Sequence, residues 1–281
     1  MARLPRVVQG VLNDYLILFN KYLPNTMEGL YLHGSISLDA YVNNSSDIDF
    51  IAVTSRRMTS EDAESLYLIH KELALQYPKP EMDGVYIIQE EIGKLRTSET
   101  NEYQENAYYN NGELYFGEYF NFNPITWYLI KHKGINFMGP DTASFDVTIS
   151  LHQLSSYVLS NMNSYWAERA WGMENSIEDI MKYPTEIIDI EIEWSVLGLL
   201  RQYYTLRESG ITSKQEAGEY GLQHLQDEWH NIIREAMNIR DGLRVSLFNS
   251  EEERIKHTLG FAKYLISYCN DMFFPTNFNH T

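Results

Sequence analysis

Residues 29–53 begin Gly29-Leu30-Tyr31-Leu32-His33-Gly34-Ser35, continue for eleven residues, and end Asp47-Ile48-Asp49-Phe50-Ile51-Ala52-Val53. The apolar runs on either side read as two strands, 29–33 and 47–53. Side chains on a strand alternate, so Asp47 and Asp49 point to the same face. Two like charges held together call for a cation between them. Mg²⁺ suits the position, because it is held by one or two carboxylates plus substrate phosphates. Gly34-Ser35, where a strand gives way to a short helix, offers backbone N–H groups and a hydroxyl to a phosphate. The stretch therefore points to phosphoryl or nucleotidyl chemistry.

Working outward, the spacing predicts a helix over 7–22 before this stretch and another from Thr59, where Thr59 and Asp62 resemble a capping box. Pro78 and Pro80 end that helix, and Met82-Asp83-Gly84-Val85-Tyr86-Ile87-Ile88 reads as a third strand. Residues 89–123 read as irregular, with a turn at Asn110-Asn111-Gly112 and a short strand at Glu113–Phe116. Residues 124–138 read as a helix after Pro124. From about 150 the pattern is wholly helical, with a strong helix over 193–209 stopped by Gly210. Ser213-x-x-Glu216 and Ser250-x-x-Glu253 open the helices that follow. The expected organisation is an α/β domain over 1–150 and an all-α helical bundle over 151–281.

Asp83, on a strand expected beside that of Asp47 and Asp49, is the candidate third metal ligand or general base, with Glu81 in reserve. The formal net charge of −17 argues against nucleic acid and suits a cationic substrate. A single cysteine, Cys269, excludes an internal disulfide. No run of eighteen apolar residues suggests a membrane span, and the N-terminus lacks the apolar run of a signal peptide. A cytoplasmic monomer is expected.

The string from His33-Gly34-Ser35 to Asp47-Ile48-Asp49-Phe50 resembles the nucleotidyltransferase superfamily of the DNA polymerase β type. Further segments resemble the streptomycin/spectinomycin adenylyltransferases. Glu113-Leu114-Tyr115-Phe116-Gly117-Glu118-Tyr119 is similar to their Glu-Leu-Gln-Phe-Gly-Glu-Trp segment, and Phe137-Met138-Gly139-Pro140 to their apolar-x-Gly-Pro segment. Leu200-Arg201 with Gly210–Ala217 is similar to their helical stretch with an Arg, then Gly-x-x-x-x-Lys-Asp-x-Ala-Ala.

The resemblance implies a nucleotidyltransferase domain with a mixed sheet, and Mg²⁺-dependent transfer of AMP from ATP to an aminoglycoside or aminocyclitol hydroxyl. It places the metal ligands at Asp47 and Asp49, with Asp83 as base or third ligand, and phosphate contacts at Gly34, Ser35, Ser46, Arg201 and Lys214. It places drug contacts at Glu191, Glu118 and Tyr119. This chain departs from the pattern in four places. Asp83 stands where the family has Glu, one methylene or about 1.5 Å shorter. Tyr119 replaces the Trp that stacks on streptomycin, Ile187 aligns with its companion acid, and Arg240 falls near an ATP-contacting Tyr. The departures at Tyr119 and Ile187 favour spectinomycin, or a different small hydroxylated amine, over streptomycin. Other readings stay open at this stage: the same fold acting on a lincosamide or protein acceptor, a toxin–antitoxin partner, or a non-catalytic nucleotide-binding protein.

Overall fold

The computed structural model describes residues 4–43, 45–95, 105–243 and 245–273. Part of the stretch read as irregular, 96–104, lies outside them. The chain divides into two compact units, Met1–Ile149 and Ser150–Thr281.

The first unit runs α1 (Arg6–Tyr22), β1 (Met27–Leu32), α2 (Gly34–Ser37), β2 (Ile48–Thr54), α3 (Ala63–Gln76), β3 (Met82–Ile87), β4 (Asn106–Asn110), β5 (Glu113–Gly117), α4 (Pro124–Lys133) and β6 (Ile135–Met138). The strands form one sheet in the order β5-β4-β3-β2-β1-β6. Only the β2–β3 pair is parallel and the other ladders are antiparallel, so the sheet is mixed. The central strands carry apolar side chains on both faces, as strands covered on both sides must. Phe50, Ala52 and Tyr86 pack on one face with Tyr15 of α1 and Leu66 of α3. Ile51, Val53, Val85 and Ile87 pack on the other with Trp127 and Ile130 of α4.

Polar groups inside the first layer are paired. Tyr15 donates to the Tyr86 hydroxyl at 3.0 Å, and His70 Nε2 lies 2.7 Å from the same oxygen. Burial pushes the His70 imidazole down to about 3, so it is neutral there.

Thr59 caps as its sequence implies, accepting from Glu61 N–H while Asp62 accepts from Thr59 N–H, although a 3₁₀ turn at Ser60–Asp62 precedes α3. Two readings of the sequence are corrected. Residues 135–138 continue no helix: α4 ends at Lys133 and the chain pairs as β6 with β1. Its apolar residues are claimed by the open edge of the sheet, and Gly134 marks the break. Residues 106–110, read as irregular, form β4. They pair with β5 through a two-residue turn in which Asn111 (φ 51°) and Gly112 (φ 79°) are both left-handed, the geometry of a tight hairpin.

The second unit is helical: α5 (Leu151–Asn161), a π-helical turn at Met162–Trp166, α6 (Ala167–Asn175), α7 (Ile177–Ile180), α8 (Thr185–Glu208), α9 (Lys214–His224), α10 (His230–Arg240) and α11 (Glu251–Phe273). The long α8 begins earlier than its sequence suggests and packs against α5, α9, α10 and α11. Ser209 ends it in a left-handed conformation, φ 54°. Ser213 and Glu216 form the expected reciprocal box at the start of α9. At α11, Ser250 accepts from Glu253 N–H, while the Glu253 carboxylate turns to Asn249 N–H instead. Among the described residues no helix is long and apolar enough to cross a membrane.

Candidate active site

The parallel ladder sets Asp49 directly beside Asp83. Both therefore project from the face that carries Ile51, Val53, Val85 and Ile87. Asp47 lies one step before β2, and Ile48 N–H fixes this end of the strand by donating to Glu81 O at 2.7 Å. Gly34 stands against the acids. It has φ +60°, and a β-carbon built there would lie 1.8 Å from Asp49 Oδ2. Glycine is required at this position by backbone conformation and by space. The Gly-Ser turn and the Asp pair, far apart in sequence, are thus one structure, further tied by His33 N–H donating to Asp49 O at 3.1 Å. Burial holds the His33 imidazole below its usual range, and the Asp49 charge opposes this only in part.

Asp83 carries a marked electrostatic signature. Its carboxyl is pushed up to about 7, first by burial, then by the negative charge of Asp47, with smaller contributions from Asp49 and Glu81. The Asn111 backbone N–H, 3.2 Å from Asp83 Oδ1, works in the opposite direction. Ser46 is buried and its hydroxyl accepts from Val42 N–H at 3.0 Å, holding the loop that leads into Asp47. Ser35 is half-buried in the first turn of α2, whose leading N–H groups have no helical partner by construction.

Two neighbours of the acids were not evident from the sequence. The bond from Lys79 to Glu81 at 2.7 Å holds its ammonium above the usual range, with smaller contributions from the charges of Asp47 and Asp83. Tyr41 is held up by burial and by Asp47. Lys79-Pro80-Glu81, a charged pair flanking the start of β3, was the available signal.

The donor set fits a divalent cation. Asp83 stands beside Asp49, the charge of Asp47 bears on it, and the mutual repulsion at Asp83 is what a cation would relieve. Among the described residues no three Asp, Glu, His or Cys side chains converge into a complete metal-binding group. Two carboxylates completed by phosphate oxygens is the arrangement that suits Mg²⁺.

The remaining sequence candidates fall elsewhere. Tyr119 is only 3% exposed and packs among Tyr108, Phe120 and Phe122. Its hydroxyl is raised by burial and by the charges of Asp49 and Asp83, so it lies near the acids but under the surface. Glu118 beside it is exposed.

In the second unit, Lys214 Nζ and Arg240 Nη1 both donate to Glu193 Oε1, at 3.0 and 2.8 Å. Arg201 Nε donates to Thr212 O at 3.2 Å, and its charge bears on Lys214. Lys214 and Arg240 thus share the Glu193 carboxylate, with the Arg201 charge near Lys214. Burial lowers the Lys214 ammonium, and Glu193 opposes that. Lys214 also lies 4.9 Å over the Trp194 ring.

The acidic run on α8 is matched by cations. Glu191 takes Arg169 in a two-point pair, and Asp189 takes Arg254, which also holds Glu235 and Glu251. These partners come from α6 and α11.

Residues 170–265 match the family model described as aminoglycoside adenylyltransferase, C-terminal domain. No curated protein sequence matches the chain. Among solved structures, the crystal structure of spectinomycin adenyltransferase AAD(9) from Enterococcus faecialis with ATP and spectinomycin is similar in fold. The TM-score is 0.64 at 18% identity, covering 92% of this chain and 99% of that one.

Proposed function

We propose that this chain, whose residues 170–265 match the aminoglycoside adenylyltransferase C-terminal domain model, is an enzyme of that family and transfers AMP from ATP to a hydroxyl of spectinomycin or a related aminocyclitol. The observation that carries the reading is the register of β2 against β3, with Asp83 beside Asp49 and Gly34 closed against the Asp49 carboxylate. Asp83 serves as general base. A carboxyl pushed up to about 7 is matched to taking a proton near neutral pH. It receives the acceptor's hydroxyl proton as that oxygen bonds the α-phosphorus and the bond from phosphorus to the bridging oxygen breaks, releasing pyrophosphate. Asp47 and Asp49 would hold Mg²⁺, which when bound withdraws charge from the phosphates and stabilises the leaving group. Gly34, Ser35 and Ser46 would bind phosphate from the α/β unit. Arg201 and Lys214 are the phosphate-binding cations proposed for the helical unit, where Lys214 and Arg240 share the Glu193 carboxylate and the Arg201 charge bears on Lys214.

Glu191, Glu118 and the Tyr119 segment are the proposed drug contacts. Buried Tyr119 offers no ring face for streptomycin, and Ile187 brings no charge, which supports spectinomycin as the preferred acceptor.

The experiment is pyrophosphate release from ATP and Mg²⁺ with spectinomycin, streptomycin, other aminoglycosides and lincosamides. Release is expected to be fastest with spectinomycin, and Asp47→Asn is expected to lower it more than about a hundredfold. Unchanged turnover in purified Asp47→Asn would remove the site assignment. Silence across the panel with ATP still bound would point to another acceptor.

A further inference from the structure

A row of aromatic rings runs from the carboxylates toward solvent along the β4–β5 hairpin. The register establishes it: Val85 stands opposite Tyr108, and Tyr108 opposite Tyr115. Val85 shares its face with Asp83, so both tyrosines lie on the acidic face of the sheet. The Tyr108 and Tyr115 rings stack 5.2 Å apart at 19°, and Tyr108 lies 5.4 Å from Tyr119 and 6.2 Å from Phe120. Tyr119, under the influence of Asp49 and Asp83, joins the row to the acids. Exposure then separates the rings. Tyr119 is 3% exposed, whereas Tyr115 is 38% and Phe120 55% exposed. Tyr115 donates to Glu113 Oε2 at 2.6 Å, so the outer end of the row carries a carboxylate. Tyr115 stands where the segment it resembles has Gln, so this ring is a feature of the present chain.

We propose that Tyr115 and Phe120, with Glu113, form a subsite that seats the ring of the cyclic polyhydroxylated amine acceptor beside Asp83. This rests on the AMP-transfer reading. The C–H-rich face of such a ring packs on an aromatic face, and its ammonium is drawn to the ring quadrupole and to Glu113. The carboxylate also decides against the phosphate end of ATP as the occupant, because the phosphates bring negative charge where this subsite already has it.

The test uses the full chain with Tyr115→Ala, Phe120→Ala, the double variant, Glu113→Gln and Tyr115→Phe. Binding of spectinomycin and of ATP is measured by calorimetry, and AMP transfer by kcat and KM. The double variant is expected to weaken spectinomycin binding and raise its KM about tenfold or more. Glu113→Gln is expected to weaken it less. ATP affinity should stay within about twofold and Tyr115→Phe should bind like the parent, since the ring is retained. Unchanged amine affinity in the double variant and Glu113→Gln would overturn the proposal. So would an equal loss of ATP affinity, or a parent protein that binds no amine. A parent that binds the amine through these rings yet transfers no AMP would leave the subsite standing and remove the transfer reaction. A parent that transfers AMP with the rings irrelevant would do the reverse.

Discussion

Asp49 and Asp83 stand side by side on a parallel ladder, and Asp47 adds a third charge within reach. The effect on Asp83 is large enough to measure. Its folded value of about 7 lies above the ordinary 3.8, so the folded state binds the proton more tightly than the unfolded chain. The stability from that proton is complete below about pH 4 and is lost as pH rises through 7. In metal-free buffer, urea melts at pH 5 and pH 8 should show the parent losing about 2 kcal/mol more than Asp83→Asn, after allowance for partial exposure of the carboxyl. Identical pH dependence in the two proteins would contradict the burial and crowding assigned to Asp83. Period-two spacing made Asp47, Asp49 and Asp83 readable in the sequence. The closure of Gly34 on Asp49, the approach of Lys79 and the aromatic row were not readable, because each depends on which strand lies beside which.

At the scale of elements, local signals served well where a side chain binds its own backbone. The boxes at Thr59 and Ser213 form as spaced. They failed where long-range pairing decides. β6 is a four-residue edge strand separated from α4 by Gly134 alone, and β4 is legible only once Asn111-Gly112 is taken as a hairpin turn between two short strands.

The acidic start of α8 is a second case, since its cationic partners lie on other helices. Glu193 is the tie between α8, α9 and α10. Its side chain is 17% exposed, with Lys214 at 18% and Arg240 at 8%. Removing its charge leaves two largely buried cations facing one another. Glu193→Gln should therefore lower the unfolding free energy by about 3 kcal/mol in urea denaturation. A loss under about 0.5 kcal/mol would show that the three groups do not act together.

For the whole molecule, composition and fold converge on one chemistry. The net charge is −17, Asp49 and Asp83 stand side by side on the sheet, and Lys214 and Arg240 meet on Glu193 in the helical unit. That distribution suits a polyphosphate and a cationic acceptor more than it suits nucleic acid. The helical unit carries the family match, while the α/β unit carries the carboxylates. What separates this account from every other phosphate chemistry is which bond of ATP breaks. The direct measurement incubates the enzyme and spectinomycin with Mg²⁺ and ATP labelled on either the α- or the γ-phosphate, then locates the label. The account predicts that α-label is found on spectinomycin and γ-label in pyrophosphate; γ-label on the drug, with none from the α-position, would contradict it.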